Sequence, residues 1–289
     1  MRLDHPVFQG PLKVDLPLEE DEEAAAKGYT GKTWLVHTGK VPDEVDVGVV
    51  SDGHGFEDSP DCERISGGVN SKGPRALAIG RQGNMLQWGF YGAPDRMTES
   101  ARRVFLNALV YMTRFDGHAP LVEKTSRGRS WLRQHADAIL ELSGSEKDQA
   151  RILKYHSEKF PPEVAAAAKD DPEAAHRWYE ANQEYIAGER WDLKVDEDVR
   201  SLGVSNRKPE FLDTLLARLE KDPQDALALR LSARYVGSPH GDDAASLRAW
   251  VTKSRPWLFF TDTGGYRWMV DTNARQAAAA AREPPGGSR

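Results

Sequence analysis

Residues 83–112, GNMLQWGFYGAPDRMTESARRVFLNALVYM, contain a strand, a loop and a helix in succession. Residues 84–90 are rich in large apolar side chains and predict a strand. Thr98 is a good N-cap, and Glu99 suits the first turn of the helix that follows. Apolar residues then recur at helical spacing, so one stripe of the helix is expected to be buried on a sheet. That stripe consists of Ala101, Val104, Phe105, Ala108, Leu109 and Met112.

The chain before this helix predicts further strands at residues 12–16, 33–37, 45–50 and 75–79. The segment 80–83, between the last of these strands and the strand at 84–90, has the length of a hairpin turn. Residues 1–116 are therefore expected to form a mixed α/β module.

Two motifs carry a family resemblance. Asp4-His5-Pro6-Val7-Phe8-Gln9-Gly10 lies near the start, and the strand at 83–90 is followed by Met97-Thr98-Glu99. Together they resemble the C-terminal half of class I glutamine-amidotransferase-like domains, in particular the trehalose-utilisation (ThuA-like) branch. The resemblance covers about residues 4–116. It implies a partial flavodoxin-like, amidotransferase-like sheet followed by a C-terminal helix.

The sequence departs from the active members of that family in two places. No glycine-flanked cysteine elbow is present, and Gly89-Phe90-Tyr91-Gly92 occupies the place of the family's His and Glu. The resemblance therefore implies a non-catalytic relative. Because the chain starts where the front half of such a domain would have ended, a missing N-terminal half-domain or a protein partner is expected to cover the sheet edge.

The single cysteine, Cys62, is interpreted as a loop thiol and not as a nucleophile. It lies between Asp61 and Glu63, and two flanking carboxylates disfavour the thiolate that nucleophilic attack requires.

The densest polar segment, residues 51–61, follows a predicted strand, where α/β proteins often place ligand sites. Its acidic side chains and imidazole are candidate ligands for a divalent cation. The favoured interpretation is a loop in which Asp and Gly make turns and caps. The candidate ligand or metal residues are Asp52, His54, Glu57, Asp58 and Asp61.

The glycine-rich segment 66–74 is a candidate anion loop, because backbone amides there are able to cradle an anion beside a lysine. The pattern is not that of a nucleotide-binding loop, and a strand follows it instead of a helix. Glycines that let the chain turn into the next strand are the favoured interpretation. The candidate residues are Gly67, Gly68, Asn70 and Lys72.

A second domain is predicted beyond a linker at 117–128. Residues 129–275 are expected to form an all-α domain that ends in a small β-hairpin, and residues 276–289 a flexible tail. Helices are predicted over residues 131–142, 145–155, 161–168, 171–186, 209–220, 222–235 and 243–253.

The terminal hairpin is predicted from two aromatic-rich segments, 257–260 and 266–270, on either side of Thr261-Asp262-Thr263-Gly264-Gly265. Trp257, Tyr266 and Trp268 are sugar-stacking candidates, since flat rings pack on sugar faces. The preferred interpretation is that these rings anchor the hairpin on the helices.

Composition limits the classes of function. The chain has 289 residues, with 39 Lys+Arg and 45 Asp+Glu and a formal net charge of −6, which argues against general nucleic-acid binding. No apolar run approaches the roughly 18 residues of a membrane span. One cysteine excludes an internal disulfide and a cysteine zinc site. With no visible signal the chain is expected to be cytoplasmic; export is the alternative if a signal lies upstream of Met1.

Three hypotheses of function follow from these patterns. The leading one is a non-catalytic ThuA-like binding or interaction module, for which no catalytic residue and no cofactor is expected. The second is a metal-assisted hydrolase of a carbohydrate-type substrate, with Asp52, His54 and Asp58 holding a divalent cation. The third is a carbohydrate-binding module that uses the three aromatic residues of the terminal hairpin.

Overall fold

The computed structural model describes residues 3–26, 28–38, 49, 51, 53–70, 73–142 and 144–282. The protein is a mixture of helix and strand with small sheets. It divides into two compact units, Met1–Leu121 (unit 1) and Val122–Arg289 (unit 2). None of the described helices is both long and apolar enough to cross a membrane.

Unit 1 combines short helices, a sheet and one long helix. The described elements are α1 (Pro6–Gln9), α2 (Glu22–Ala26), β1 (Cys62–Asn70), β2 (Gly73–Gln82), β3 (Met85–Trp88) and α3 (Glu99–Met112). Thr98 caps α3, because its hydroxyl accepts a hydrogen bond of 3.2 Å from the Ala101 amide. The sequence-based prediction of this helix and of its cap is confirmed.

The strands of unit 1 form an antiparallel sheet in the order β1-β2-β3. For the described residues this corrects the expectation of a partial flavodoxin-like, amidotransferase-like sheet. Parallel neighbours need a crossover of a dozen or more residues, whereas residues 71–72 join β1 to β2 and residues 83–84 join β2 to β3. The predicted hairpin is confirmed, with a two-residue turn at 83–84 in place of the expected 80–83.

Gly83 is the residue that this turn requires. Its φ is +52°, in the left-handed region that favours glycine. A Cβ at this position would lie 2.5 Å from the carbonyl oxygen of His118, so the close approach of the chain also excludes a side chain.

Two of the predicted strands are wrong. Residues 12–16 form no strand, because Leu12 bonds through its amide and its carbonyl to the side chain of Asn107 and not to a neighbouring strand. Residues 33–37 contribute only isolated bridges, Thr33 to Glu19 and His37 to Met97.

The strand predicted at 45–50 lies almost entirely outside the described residues. Of that segment only Val49 is described, and it bridges Phe90.

The core of unit 1 lies between the sheet, α1 and one face of α3. Its members are apolar and almost completely buried, as expected where a helix packs on a sheet. They are Val7, Phe8, Ile65, Ala78, Ile79, Val104 and Ala108.

Unit 2 is mainly helical and contains two small hairpins. Its described helices are α4 (Ser130–Leu140), α5 (Glu146–Ser157), α6 (Pro162–Ala167), α7 (Ala174–Asn182), α8 (Glu197–Leu202), α9 (Pro209–Lys221), α10 (Ala226–Tyr235), α11 (Ala244–Ser254) and α12 (Thr272–Ala280). Its described strands are β4 (Ile186–Glu189), β5 (Asp192–Val195), β6 (Leu258–Thr261) and β7 (Arg267–Val270). The core of this unit includes Leu132, Ile139, Phe211, Leu215, Leu231, Tyr235 and Leu247.

Capping residues place most of these helices where the sequence predicted them. The Ser145 hydroxyl and the Asp243 carboxylate accept bonds from backbone amides at the starts of α5 and α11. Asp225, and not Asp222, caps α10. Helix α7 is shorter than the predicted 171–186, because Ile186 starts a strand.

The terminal hairpin β6–β7 is confirmed, with Leu258 opposite Val270 and Thr261 opposite Arg267. The tail predicted from residue 276 contains the end of α12. Residues 283–289 lie outside the described part of the chain.

Candidate functional site

Helix α3 carries apolar side chains on two faces. One face is buried on the sheet. The other presents Leu106, Leu109 and Val110, which are 49%, 46% and 51% exposed. These three residues, called the α3 surface below, stand three and four positions apart and so are neighbours on the helix. The prediction that Leu109 belongs to the buried stripe is wrong. Grouped apolar side chains left in water mark an interaction surface more often than single ones do.

Basic side chains flank the α3 surface. By helical spacing Arg102 and Arg103 precede Leu106 on this side of the helix, and Arg114 follows Val110. Arg103 forms an ion pair of 2.9 Å with Glu99, and Arg102 donates to the carbonyl of Asp95. The surface is therefore apolar in the middle and basic towards both ends.

A polar cluster behind α3 holds the helix on unit 1. Tyr111 of α3 donates a hydrogen bond of 2.7 Å to the Glu63 carboxylate, and Arg81 donates one of 3.2 Å to the same carboxylate. Nδ1 of His5 accepts from the Val7 amide, so Nε2 carries the proton and donates to Glu63 at 3.1 Å. The cluster thereby joins the N-cap of α1 to β1, β2 and α3.

Burial and hydrogen bonding have opposite effects on the pKa of Glu63. Burial acts to raise the pKa of this carboxyl, but the bonds from Tyr111, Arg81 and His5 outweigh it and lower the pKa. Burial, followed by the bond to Glu63, raises the pKa of Tyr111 to about 12. Glu63 is therefore ionised and Tyr111 protonated near pH 7, which is the state that the hydrogen bonds require.

Among its described residues, the acidic segment 51–61 does not bring three candidate ligands together. Asp52 lies outside the described residues. Glu57 forms an ion pair of 2.9 Å with Arg64, and Asp61 accepts a bond of 2.8 Å from the Leu121 amide. His54 and Asp58 are partly buried. In the described ranges no three His, Cys, Asp or Glu side chains are grouped as a metal site would require.

The described residues of the glycine-rich segment lie in strands β1 and β2, which corrects the anion-loop candidate at Gly67, Gly68 and Asn70. Gly67, Gly68 and Asn70 belong to β1 and are opposite Leu77, Ala76 and Gly73 of β2. Backbone groups in such a ladder pair with the neighbouring strand and do not converge on an anion. Lys72 lies outside the described residues.

The aromatic rings of the terminal hairpin face the protein. Tyr266 and Trp268 are 2% and 4% exposed. The Tyr266 hydroxyl donates to the carbonyl of Arg127, and the Trp268 indole donates to the carbonyl of Asn206. This burial corrects the sugar-stacking expectation for the two rings, since their faces are covered by protein. Trp257 is partly buried at the start of the hairpin.

A buried charge pair connects the start of unit 2 with that hairpin. Arg129 is 3% exposed and pairs with Asp262 at 2.7 Å. Its guanidinium also donates to the Gln183 carbonyl and to the Asn206 side chain. Burial disfavours the charge on Arg129, but the charge and hydrogen bonds of Asp262 outweigh it and raise the pKa of the guanidinium.

Polar contacts continue from this pair towards the surface. Asn206 donates to the Tyr235 hydroxyl, which donates at 2.8 Å to Asp196. Asp196 also caps α8 and pairs with Arg234. Burial raises the pKa of Tyr235, so the phenol remains a donor. The sequence offered no signal for this network, because its members are up to 133 residues apart.

The network ends at an open cleft of about 1000 Å³. Its walls are the β4–β5 hairpin, the start of α8, the end of α10 and the turn at 265–267. Charged side chains of both signs line it: Glu189, Arg190, Asp192, Lys194, Asp196, Glu197, Asp198, Arg234 and Arg267. The volume is at the upper end of the usual range for small-molecule sites.

Comparison of the chain with protein-family models, with curated proteins and with solved structures finds no match. The ThuA-like resemblance therefore rests on the motifs at 4–10 and 83–99 alone.

Proposed function

We propose that this chain is a non-catalytic binding protein that docks a protein partner on the α3 surface. The observation that carries the proposal is the half exposure of three apolar side chains, Leu106, Leu109 and Val110, on one face of one helix. Covering them on binding removes apolar area from water, which is favourable by about 25 cal/mol per Å².

The absence of the family's catalytic residues supports binding over catalysis. Gly89-Phe90-Tyr91-Gly92 stands where the family has its His and Glu. Cys62, the single cysteine, is the first residue of β1, and its sulfur lies 3.1 Å from the Ser59 hydroxyl. It is thus part of a strand and not of a glycine-flanked elbow.

The partner's chemistry follows from the charges beside the surface. An amphipathic helix with a Leu-type face and acidic flanks is complementary to the apolar centre and to Arg102, Arg103 and Arg114. Opposite charges at the rim raise the rate of association and fix its register. We infer that a segment of this kind is the partner's contact.

Site-specific photo-crosslinking in cells of the native source tests the proposal. A benzophenone amino acid replaces Leu106 in one variant and Lys169, an exposed residue of unit 2, in the control. We expect one recurrent adduct at position 106, absent at position 169, and lost when Leu109→Asp is added. If position 106 gives only the adducts of position 169, the docking proposal is wrong.

We propose carbohydrate binding in the unit 2 cleft as a second candidate function. Its mixed lining favours a neutral polyhydroxy ligand, since carboxylates accept from hydroxyl groups while Lys194 and Arg267 donate to them. Calorimetric titration with mono- and oligosaccharides tests it, with Asp192→Asn/Lys194→Gln as the cleft variant and Lys169→Gln as the control. A heat of binding that the wild type and the control show and the cleft variant lacks supports this function. Equal heats of binding in the two variants, or no heat of binding in the wild type, contradict it.

A further inference from the structure

Trp191 places a large aromatic ring in water. The structure describes all eight tryptophans, and Trp191, 60% exposed, is the one that is neither buried nor partly buried. It lies in the two-residue turn between β4 and β5. Arg190, the other turn residue, has a φ of +55°, in the left-handed region that Gly and Asn favour. The turn thus combines an unfavourable backbone with an exposed ring, a combination that folding alone does not favour.

Neighbouring residues hold the Trp191 ring in place. The Arg127 amide donates to the Arg190 carbonyl at 2.7 Å, and the Arg190 amide donates to the Ser126 hydroxyl at 3.2 Å. The Arg127 guanidinium lies 4.0 Å from the centroid of the Trp191 ring and covers one face of it. Because that face is covered, the exposed area of Trp191 is on the opposite face and the edges of the ring.

A row of rings leads from Trp191 to a second exposed ring. The centroid of Trp131 lies 6.0 Å from that of Trp191 and 4.3 Å from that of His135, and His135 lies 5.9 Å from Tyr155. Tyr155 is 57% exposed, and the ammonium group of Lys159 lies 4.9 Å from its ring centroid. These four rings are called the aromatic row below. Each end of the row is therefore an exposed ring with a cation beside it.

The fold fixes the two helices that carry most of the row. Trp131 and His135 belong to α4 and Tyr155 to α5. The Nδ1 atoms of His135 and His156 are 2.7 Å apart, which is a hydrogen bond between the two helices. Trp131 also packs on the core of unit 2. A ligand that contacts both ends of the row therefore binds to a surface that is already ordered, which lowers the entropy cost of binding.

The chemistry of the row favours a ligand with flat apolar faces and negative charge. An exposed indole or phenol ring packs on the C–H face of a sugar ring. The charged groups described beside the row are Arg127 and Lys159, both cations. A carboxylate on the sugar is complementary to that charge.

A single-stranded nucleic acid fits the row less well. Its bases stack on aromatic rings, but it carries a phosphate at every nucleotide and needs a basic groove that follows its backbone. A chain with a formal net charge of −6 and two described cations at the row does not supply such a groove.

We propose that the aromatic row binds an acidic oligosaccharide, in which uronic acid residues carry the negative charge. Sugar rings stack on Trp191 and Tyr155, and carboxylates approach the cations beside these two rings. None of the four residues of the row is among those that line the cleft proposed above for a neutral ligand. The two sites are therefore tested separately.

Calorimetric titration of the full chain tests the site, with oligogalacturonate and hyaluronan oligosaccharides as acidic probes and maltohexaose as the neutral one. We expect the acidic probes to bind at least about tenfold more tightly than the neutral one. Trp191→Ala and Tyr155→Ala should each weaken their binding about tenfold. Tyr91→Ala, at a 54% exposed ring of unit 1, is the control and should not. No binding of the acidic probes at about 1 mM, or unchanged binding in Trp191→Ala, overturns the proposal.

Three further titrations test the charge of the ligand and its location. Lys159→Gln should weaken binding of the acidic probes several-fold, whereas Lys169→Gln, at an exposed lysine of the same unit, should not. The cleft variant Asp192→Asn/Lys194→Gln should bind these probes as the wild type does; loss of binding there would place the ligand in the cleft and contradict the proposal. Tighter binding of an oligothymidylate than of either acidic probe would overturn it in favour of nucleic acid.

A fluorescence measurement uses the wild type and does not depend on a folded variant. Trp191 is the exposed tryptophan, so its emission is the most accessible to quenching by acrylamide. Saturating oligogalacturonate should cover the ring and reduce this quenching. If acrylamide quenches the emission equally with and without the bound oligosaccharide, the ligand lies elsewhere and the proposal is wrong.

Discussion

Asn107, fully buried on α3, holds Leu12 at both its backbone groups. The side-chain oxygen accepts from the Leu12 amide at 2.8 Å, and the side-chain nitrogen donates to the Leu12 carbonyl at 2.9 Å. The same nitrogen donates to the Val7 carbonyl at 3.1 Å. The side-chain amide of Asn107 thus forms with Leu12 the two hydrogen bonds that a neighbouring strand would otherwise make.

Asn107→Ala should lower the free energy of unfolding of unit 1 by about 3 kcal/mol, because it removes three hydrogen bonds, one of them to the buried Val7 carbonyl. Chemical denaturation monitored by tryptophan fluorescence measures the change. Gln224→Ala, at an exposed position, is the matched control and should have little effect. Equal stabilities of the two variants would contradict the role of Asn107.

Asp262→Ala should destabilise unit 2 by about 3–5 kcal/mol, because the Arg129 charge stays buried without its partner. Asp213→Ala removes an exposed partner of Arg255 and should cost less than about 1 kcal/mol. Thermal unfolding followed by calorimetry compares the two. A small effect at Asp262 would mean that water reaches Arg129.

Tyr111→Phe should raise the pKa of Glu63, since it removes one of the donors that lower it. A carboxyl whose folded pKa is lowered contributes stability above its unfolded pKa and loses it as the pH falls through the folded value. The variant should therefore lose less stability than the wild type on acidification below about pH 4. Carbon NMR titration of the Glu63 carboxyl measures the shift, and a pKa unchanged by the substitution would exclude the hydrogen bond.

Acid should destabilise unit 2 through His135. Its pKa is lowered from 6.5 to about 4 in the folded state, so the unfolded chain binds more protons between these values. The contribution of His135 should be constant above about pH 6.5 and fall by at most about 1.4 kcal/mol per pH unit below it. His135→Phe should flatten this dependence, measured by denaturation from pH 4.5 to 7.5. If the stability of the variant depends on pH as steeply as that of the wild type, groups other than His135 cause the loss of stability in acid.

Leu109→Lys should leave stability within about 0.5 kcal/mol, because the side chain is half exposed. Val104→Lys places a charge at a fully buried position of the same helix and should prevent folding of unit 1. Circular dichroism and denaturation distinguish the two. A large loss of stability at Leu109 would show that this residue supports the fold and is not an open surface.

Local chemistry explains how far the sequence predicts this fold. Thr98 was predicted as the cap of α3 because capping depends on residues within one helical turn. Strand β1 was missed because Gly67 and Gly68 are typical of a turn, and its pairing with β2 overrides that preference. The hairpin β4–β5 was missed because strands of four residues carry too little periodicity.

The candidate sites were harder to predict because they depend on distant contacts. Leu109 fits the buried stripe by spacing, and only the position of the sheet shows that it faces outward. The hydrogen bond between His135 and His156 likewise joins two helices whose residues are 21 positions apart, so no motif predicts it. Asp61, Gly67 and Gly68 were singled out by composition, but their atoms are committed to the fold.

The pairing of Arg129 with Asp262 joins two positions that are 133 residues apart, near the two ends of unit 2. The Thr263 carbonyl beside it also accepts from the amides of Thr125 and Ser126. During synthesis the first helix of this unit must wait for the last hairpin to leave the ribosome before its buried cation is neutralised. A chain that ends before residue 262 lacks the carboxylate partner of Arg129, so unit 2 is expected to complete its fold only after the last hairpin has been synthesised.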